Sequence, residues 1–370
     1  MDFIPVNEPL LNGNEKKYLN QCIDSGWISS EGPFVKEFEE KFSQRAGRKF
    51  GIAVCNGTAA LEAAVIALDL QKADEVIMPA FTIISCALAI IRAGAVPVLI
   101  DAEPDTWNMN VQHIRKKITS RTKAIMVVHI YGLPVDMNPV LEIAEEFNLK
   151  IIEDAAEQIG QTYNGKPCGS FGDISTFSFY PNKHITTGEG GMIVTDNKEL
   201  AERCRSLRNL CFKPGKRFVH DELGYNFRMT NLQAAVGLAQ FERLDEFVNK
   251  KREMGRLYTK YLKNNYYCEL PLETKNFAEN IYWVYGIVVK KDNMFAEDAM
   301  KMLAEKGIGT RPFFYPMNKQ PVFNKAGLFA GESFPVAERL SERGFYLPSG
   351  LALTEAQIVK TAEAVNAILK

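Results

Sequence analysis

The sequence predicts an α/β protein: a large domain whose mostly parallel sheet lies between helices, then a smaller α/β domain. Three observations carry this. From about residue 50 to 196 short apolar runs alternate with helix-like segments, the pattern of strand–helix–strand units that build parallel sheets. The runs are apolar throughout, as strands covered on both faces must be. A long stretch of helical period then leaves this region and leads into a different pattern.

Taken in order, GIAVC (51–55) reads as a strand and the alanine-rich TAALEAAVIALDL (58–70) as a helix. EVIMPA (75–80) and VPVLID (96–101) are strands on either side of the helical TIISCALAIIRAG (82–94). TKAIMVVHIYG (122–132), VLEIAEEFN (140–148) and KIIEDAA (150–156) repeat strand, helix and strand, and ISTFSF (174–179) and GGMIVTD (190–196) add two strand candidates. From Asn231 to about Leu262 a helical period with charge on the outer face predicts one long helix. It joins a large domain, 1–245, to a small one, 246–370. The small domain has a strand candidate at Tyr282 to Val289, a helix near Ala296 to Lys306 and a terminal helix from about Thr354.

At 370 residues and 46% hydrophobic content the chain can fill two cores. Its 44 Lys and Arg nearly cancel 45 Asp and Glu, so it has no net field to favour nucleic acid or an anionic membrane, and any bound anion needs a local site. The seven cysteines, at 22, 55, 86, 168, 204, 211 and 268, have no zinc-knuckle or redox spacing and read as buried reduced thiols, with no metal expected. The polar, acidic start lacks the pattern of a signal peptide, and no run approaches a bilayer span; a cytoplasmic address is expected.

Ligands in an open parallel sheet sit at the carboxyl ends of the strands. Three such ends are polar here. After GIAVC, Asn56-Gly57-Thr58 opens a helix, whose free N–H groups and close-approaching glycine suit a phosphate, or which Asn56 or Thr58 simply caps. Asp154 ends a strand that should be buried, where a carboxylate needs a partner: a protonated pyridine nitrogen, a metal, an arginine or a helix N-terminus. Lys183 lies between two strands in a loop running on to Gly188-Glu189-Gly190-Gly191, with Ser178 nearby to bind an anion; such a lysine is either solvated or does Schiff-base chemistry. Together, an anchored phosphate, an acid for a ring nitrogen and an imine-forming lysine are what pyridoxal phosphate needs.

Along nearly its whole length the chain resembles the DegT/StrS type of sugar aminotransferase. The likeness is carried by GWISSEGPFVKEFEEKF (26–42), CNGTAAL (55–61), EDAAEQIG (153–160), FGDISTFSFYPNKHITTGEGGMIVTD (171–196) and GYNFRMTNLQAAVGLAQ (224–240). The resemblance implies the aspartate-aminotransferase fold, pyridoxal 5′-phosphate as cofactor and a homodimer with shared active sites. It makes Lys183 the Schiff-base lysine and Asp154 the partner of the pyridinium nitrogen. It makes Gly57, Thr58 and Ser178 the phosphate cradle, Phe81 the ring stacked on the cofactor and Glu157 the contact to its ring hydroxyl. Asn226 would reach the phosphate of the neighbouring subunit.

Within the family, ITTGEGG (185–191) and IGTRPFFYPMNKQPVF (308–323) are similar to the 4-aminotransferases acting on GDP-4-keto-6-deoxymannose, the GDP-perosamine synthases, with L-glutamate as donor. Where that group has FFGNK, this chain has Phe179-Tyr180-Pro181-Asn182-Lys183. Arg311 is the candidate cation for a sugar-nucleotide diphosphate, with Phe313 and Tyr315 as packing aromatics and Trp27 and Ser29 bordering the sugar. His184 is a further substrate-contact candidate, although His184 and His220 also read as loop-capping residues. The alternatives are a UDP- or dTDP-sugar 4-aminotransferase, a dehydratase on the same scaffold, in which histidine replaces the lysine, and a non-catalytic regulatory protein.

Overall fold

Strand residues sort by parity into two cores, which is why their sequences are apolar without interruption. Val76, Met78, Met126, Val128 and Ile152 pack on one side of the sheet, while Ile77, Ile125, Val127 and Ile151 pack on the other. A computed structural model describes residues 3–213 and 215–370. The main sheet holds β1 (Phe50–Val54), β2 (Glu75–Pro79), β3 (Val96–Ile100), β4 (Thr122–Val128), β5 (Lys150–Asp154), β6 (Ile174–Ser178) and β7 (Gly191–Thr195), in the order β1-β7-β6-β5-β4-β2-β3. Only β7 runs antiparallel to its neighbours, so the other six end at one edge.

Helices α1 (Glu15–Ser25) and α2 (Pro33–Arg45) precede the sheet. On one face lie α3 (Gly57–Ala67) and α4 (Ile84–Arg92). On the other lies α5 (Met137–Phe147), and α6 (Lys198–Arg208) returns to the first face. The stretch expected as one helix is two, α7 (Asn231–Phe241) and α8 (Leu244–Leu262), because the chain turns at Glu242 and Arg243. A capping box between Thr230 and Gln233 starts α7.

Tyr258, Tyr285, Ile287, Phe345 and Leu347 centre a separate core. It packs on an antiparallel sheet of β8 (Cys268–Glu269), β9 (Tyr285–Val289), β10 (Arg311–Pro312) and β11 (Gly344–Leu347), in the order β8-β9-β11-β10. Around it are α9 (Ala296–Ala304), α10 (Pro335–Arg343) and α11 (Glu355–Ile368), the last begun by the Thr354 capping box. Six cysteines are buried and Cys55 is partly so; none is paired. No helix is long and apolar enough to cross a membrane among the described residues.

Candidate active site

The carboxyl ends of β1, β5 and β6 open onto a cavity of about 650 Å³, lined among others by Gly57, Thr58, Asp154, Glu157, Thr176, Ser178 and Lys183. At its floor, the Asn56 side chain accepts a hydrogen bond from Ala59 N at 2.8 Å and caps α3. The cap reading and the open loop therefore coexist. A Cβ on Gly57 would lie 2.7 Å from the Ser178 Cβ, so only glycine lets these two strand ends close up. Thr58 Oγ1 and Ser85 Oγ are 3.1 Å apart beside them.

Asp154 is 4% exposed. Its carboxylate accepts the Ala156 N–H at 3.0 Å and the Cys86 thiol at 3.4 Å. That is little compensation for a buried charge, and burial lifts its pKa above the ordinary carboxylate range, with the Ala156 N–H and the nearby Lys183 opposing. Next to it on β6, paired across the sheet, Thr176 has a buried hydroxyl with no partner.

Lys183 is in the cavity wall with its amine 3.8 Å from the centre of the Trp283 ring and 3.8 Å from Glu157 Oε1. Burial lowers the pKa of this amine, although Glu157 and Asp154 pull it up. Burial raises Glu157 to about 8, while Lys183 and the Tyr131 N–H it accepts at 2.7 Å act to lower it. In both, burial pushes the group toward its neutral form. A neutral amine is the nucleophilic form.

The remaining expected residues are placed differently. Phe81 is fully buried against Tyr131, Phe313 and Phe314, and of these rings Phe314 is the one that lines the cavity. Asn226, Trp27 and Ser29 are exposed and outside this single chain's cavity. Arg311, on the edge strand β10, and Tyr315 are exposed and outside it too, while Phe313 is core. Arg92, ion-paired with Glu62, is the cation besides Lys183 among the lining residues.

His184 is buried away from the cavity, its Nε2 at 3.2 Å from the Ile281 carbonyl oxygen, and burial depresses its pKa to about 3. It closes a loop. His220 Nδ1 likewise pairs with the Leu210 carbonyl oxygen at 2.7 Å.

Sequence reasoning missed Trp283 and Tyr131, and had Phe314 only as one of the aromatics after Arg311. Trp283 and Phe314 come from the second half of the chain, where no local pattern ties them to Lys183. Tyr131 follows β4 at φ 58, an unusual backbone for a bulky residue that aims its N–H at Glu157. The three close groups His129, Glu153 and Cys168 could suggest a metal. The hydrogen bonds argue otherwise: His129 Nδ1 accepts the Val135 N–H at 3.0 Å, leaving Nε2–H to donate to Glu153 at 3.1 Å.

Residues 9–366 match the DegT/DnrJ/EryC1/StrS aminotransferase family. The chain belongs to that family. It is 43% identical to the GDP-perosamine synthase of Escherichia coli O157:H7, over 99% of this chain and 98% of that protein. It is 40% identical to that of Vibrio cholerae, over 98% of both. The solved structure of S. venezuelae DesV in complex with a ketimine intermediate superposes with a TM-score of 0.90 at 29% identity, covering 96% of this chain and 94% of that one. The aspartate-aminotransferase-like fold expected of the sequence is the fold observed.

The residues present fit pyridoxal 5′-phosphate. Lys183 offers an amine of lowered basicity, Asp154 a buried carboxyl short of partners and Thr176 an unused hydroxyl. The crowding at Gly57 leaves main chain and two hydroxyls, those of Thr58 and Ser178, at the mouth of a helix N-terminus.

Proposed function

We propose that this enzyme transfers the amino group of L-glutamate to C4 of GDP-4-keto-6-deoxy-D-mannose, giving GDP-perosamine for a surface polysaccharide such as O-antigen. The observation that carries the reading is identity of 40–43% over nearly the full length of three GDP-perosamine synthases. Pyridoxal 5′-phosphate, the cofactor of the family, supplies when bound the electron-withdrawing ring through which the amino group is exchanged for the keto oxygen.

The chain's own residues have separable tasks in this proposal. Gly57, Thr58 and Ser178 receive the cofactor phosphate at the N-terminus of α3. Asp154 holds the proton on the ring nitrogen, and a carboxyl with spare acceptor capacity suits that task. Glu157, in the cavity wall beside Lys183, would contact the ring hydroxyl of the cofactor. Lys183 would anchor the cofactor through its amine and, when free, would serve as the proton carrier at the reacting carbon of the substrate. The Trp283 ring at 3.8 Å and Glu157 at 3.8 Å keep its amine within the site.

A homodimer with shared sites belongs to the same proposal. Asn226, the expected contact to the neighbouring subunit's phosphate, stands exposed, as do Trp27, Ile28 and Leu223. A reducing cytoplasm suits seven unpaired cysteines. The second reading is a dTDP-sugar transaminase, favoured by 38% identity to dTDP-3-amino-3,6-dideoxy-alpha-D-galactopyranose transaminase of Aneurinibacillus thermoaerophilus. Mass analysis of the amino product from glutamate with GDP-, UDP- and dTDP-4-keto-6-deoxy sugars and with a dTDP-3-keto-6-deoxy sugar separates the two. The GDP sugar is expected to turn over; turnover of the dTDP or UDP sugar alone would overturn the assignment.

A further inference from the structure

Lys251, on α8, is 1% exposed. Its ammonium lies beside no carboxylate among the described residues; it donates instead to the Trp283 carbonyl oxygen at 2.9 Å and to that of Ser349. A buried lysine is costly, and a methionine of similar length would fill the same space without desolvating a charge. That cost asks for a compensating role. Trp283 is the residue whose ring lies under the Lys183 amine. The same indole donates from Nε1 to the Asn182 carbonyl oxygen at 2.8 Å, one residue before Lys183. The hydrogen bonds thus run from Lys251 to Trp283 and from Trp283 to the loop that carries Lys183.

We propose that Lys251 is a positioning residue for Lys183, acting through Trp283. This rests on the aminotransferase reading of the cavity. Its two carbonyl bonds tie the segment before β9 to the residues after β11, and Lys251 itself is not among the residues that line the cavity. Trp283 is thus held at its main chain by Lys251 and at its ring through Nε1. Lys183 and His184 are the groups that interact electrostatically with this buried amine. Burial lowers Lys251 to about 7, with the Lys183 charge adding to the effect, so the pair is not forced to hold two charges at once.

The test uses Lys251→Met, Trp283→Phe and the double variant in the full-length protein. Phenylalanine keeps an aromatic face but loses the Nε1–H bond to Asn182. In cofactor-free protein, the rate of Lys183 arylation by trinitrobenzenesulfonate, located by peptide mass, reads how firmly that amine is held. In cofactor-loaded protein, glutamate-dependent kcat and KM are measured separately. Each single variant should label Lys183 severalfold faster and lower kcat by about 10-fold or more with little change in KM. The double variant should be no worse than the stronger single one, the mark of residues acting in series. Unchanged Lys183 labelling in Lys251→Met, or fully additive losses in the double variant, would overturn the proposal. If Lys251→Met does not fold, Lys251→Leu, which likewise removes the donor, replaces it in the cycle under the same criteria. A parent protein that forms no cofactor band refutes the aminotransferase reading instead, while the labelling comparison still decides the role of Lys251.

Discussion

Glu153 and Asp154 are neighbours on β5, and the pleat sends them to opposite sides of the sheet. Both are buried, at 0% and 4% exposure. Toward α5, Glu153 accepts from Gly169 N at 2.6 Å, Phe171 N at 2.9 Å, Ser175 Oγ at 2.9 Å and His129 Nε2 at 3.1 Å, so its acceptor sites are filled from within the protein. Toward α4, Asp154 has one main-chain N–H and one thiol, and an open cavity beside it. Burial alone therefore does not separate a structural carboxylate from a functional one; the deficit of partners does.

The largest expected effect is on the open side. Asp154→Asn should lower kcat by about 10²-fold or more, measured with glutamate and the GDP sugar, without lowering the melting temperature of the cofactor-free protein. Equal activity would break the contrast between the two carboxylates. Glu153→Gln should do the reverse, because its amide turns a donor toward groups that are already donors. A loss of about 3 kcal/mol or more in urea unfolding is expected, with activity falling only as folded protein is lost.

Glu157 sharpens the comparison by pH. Its pKa is raised from 4.5 to about 8. Its contribution to stability is therefore whole below 4.5 and is lost as pH rises through about 8. In cofactor-free protein the stability advantage of Glu157→Gln over the parent should be small near pH 5 and grow toward about pH 9. A difference that does not vary with pH would show that Glu157 is satisfied as Glu153 is. The smallest effect belongs to Cys86→Ala, which removes a weak donor from Asp154. A change on the order of 0.5 kcal/mol in the kinetic barrier is expected, and a loss as large as that of Asp154→Asn would place the thiol among the main supports of the site.

Much of the site was legible because its residues follow strand ends. Gly57, Thr58, Asp154, Ser178 and Lys183 each come within a few residues of an apolar run, and parallel strands end at one edge, so their convergence could be read before any contact was known. The aromatic and charged residues expected farther out were less legible. Phe313 looked like a substrate contact because of its neighbours Arg311 and Tyr315, yet its ring packs against Trp107 and Tyr131 while both neighbours point outward. Strand alternation would put positions 311, 313 and 315 on one face, but β10 ends at Pro312 and the chain beyond it follows no strand period, so the composition of this short run does not say which side chain turns in.

The sequence by itself determined the parallel sheet, the strand-end chemistry and the breadth of the family likeness, because apolar periodicity and motif order are local properties of the chain. Tertiary structure alone decided that Trp283 lies under Lys183, that Lys251 donates to its carbonyl oxygen and that His184 is withdrawn from the cavity. Those pairings join residues up to about a hundred positions apart, through hydrogen bonds and packing that no local pattern encodes. The turn at Glu242 and Arg243 belongs with them: helical period continues on both sides of it, and only the separate packing of α7 and α8 makes it two helices.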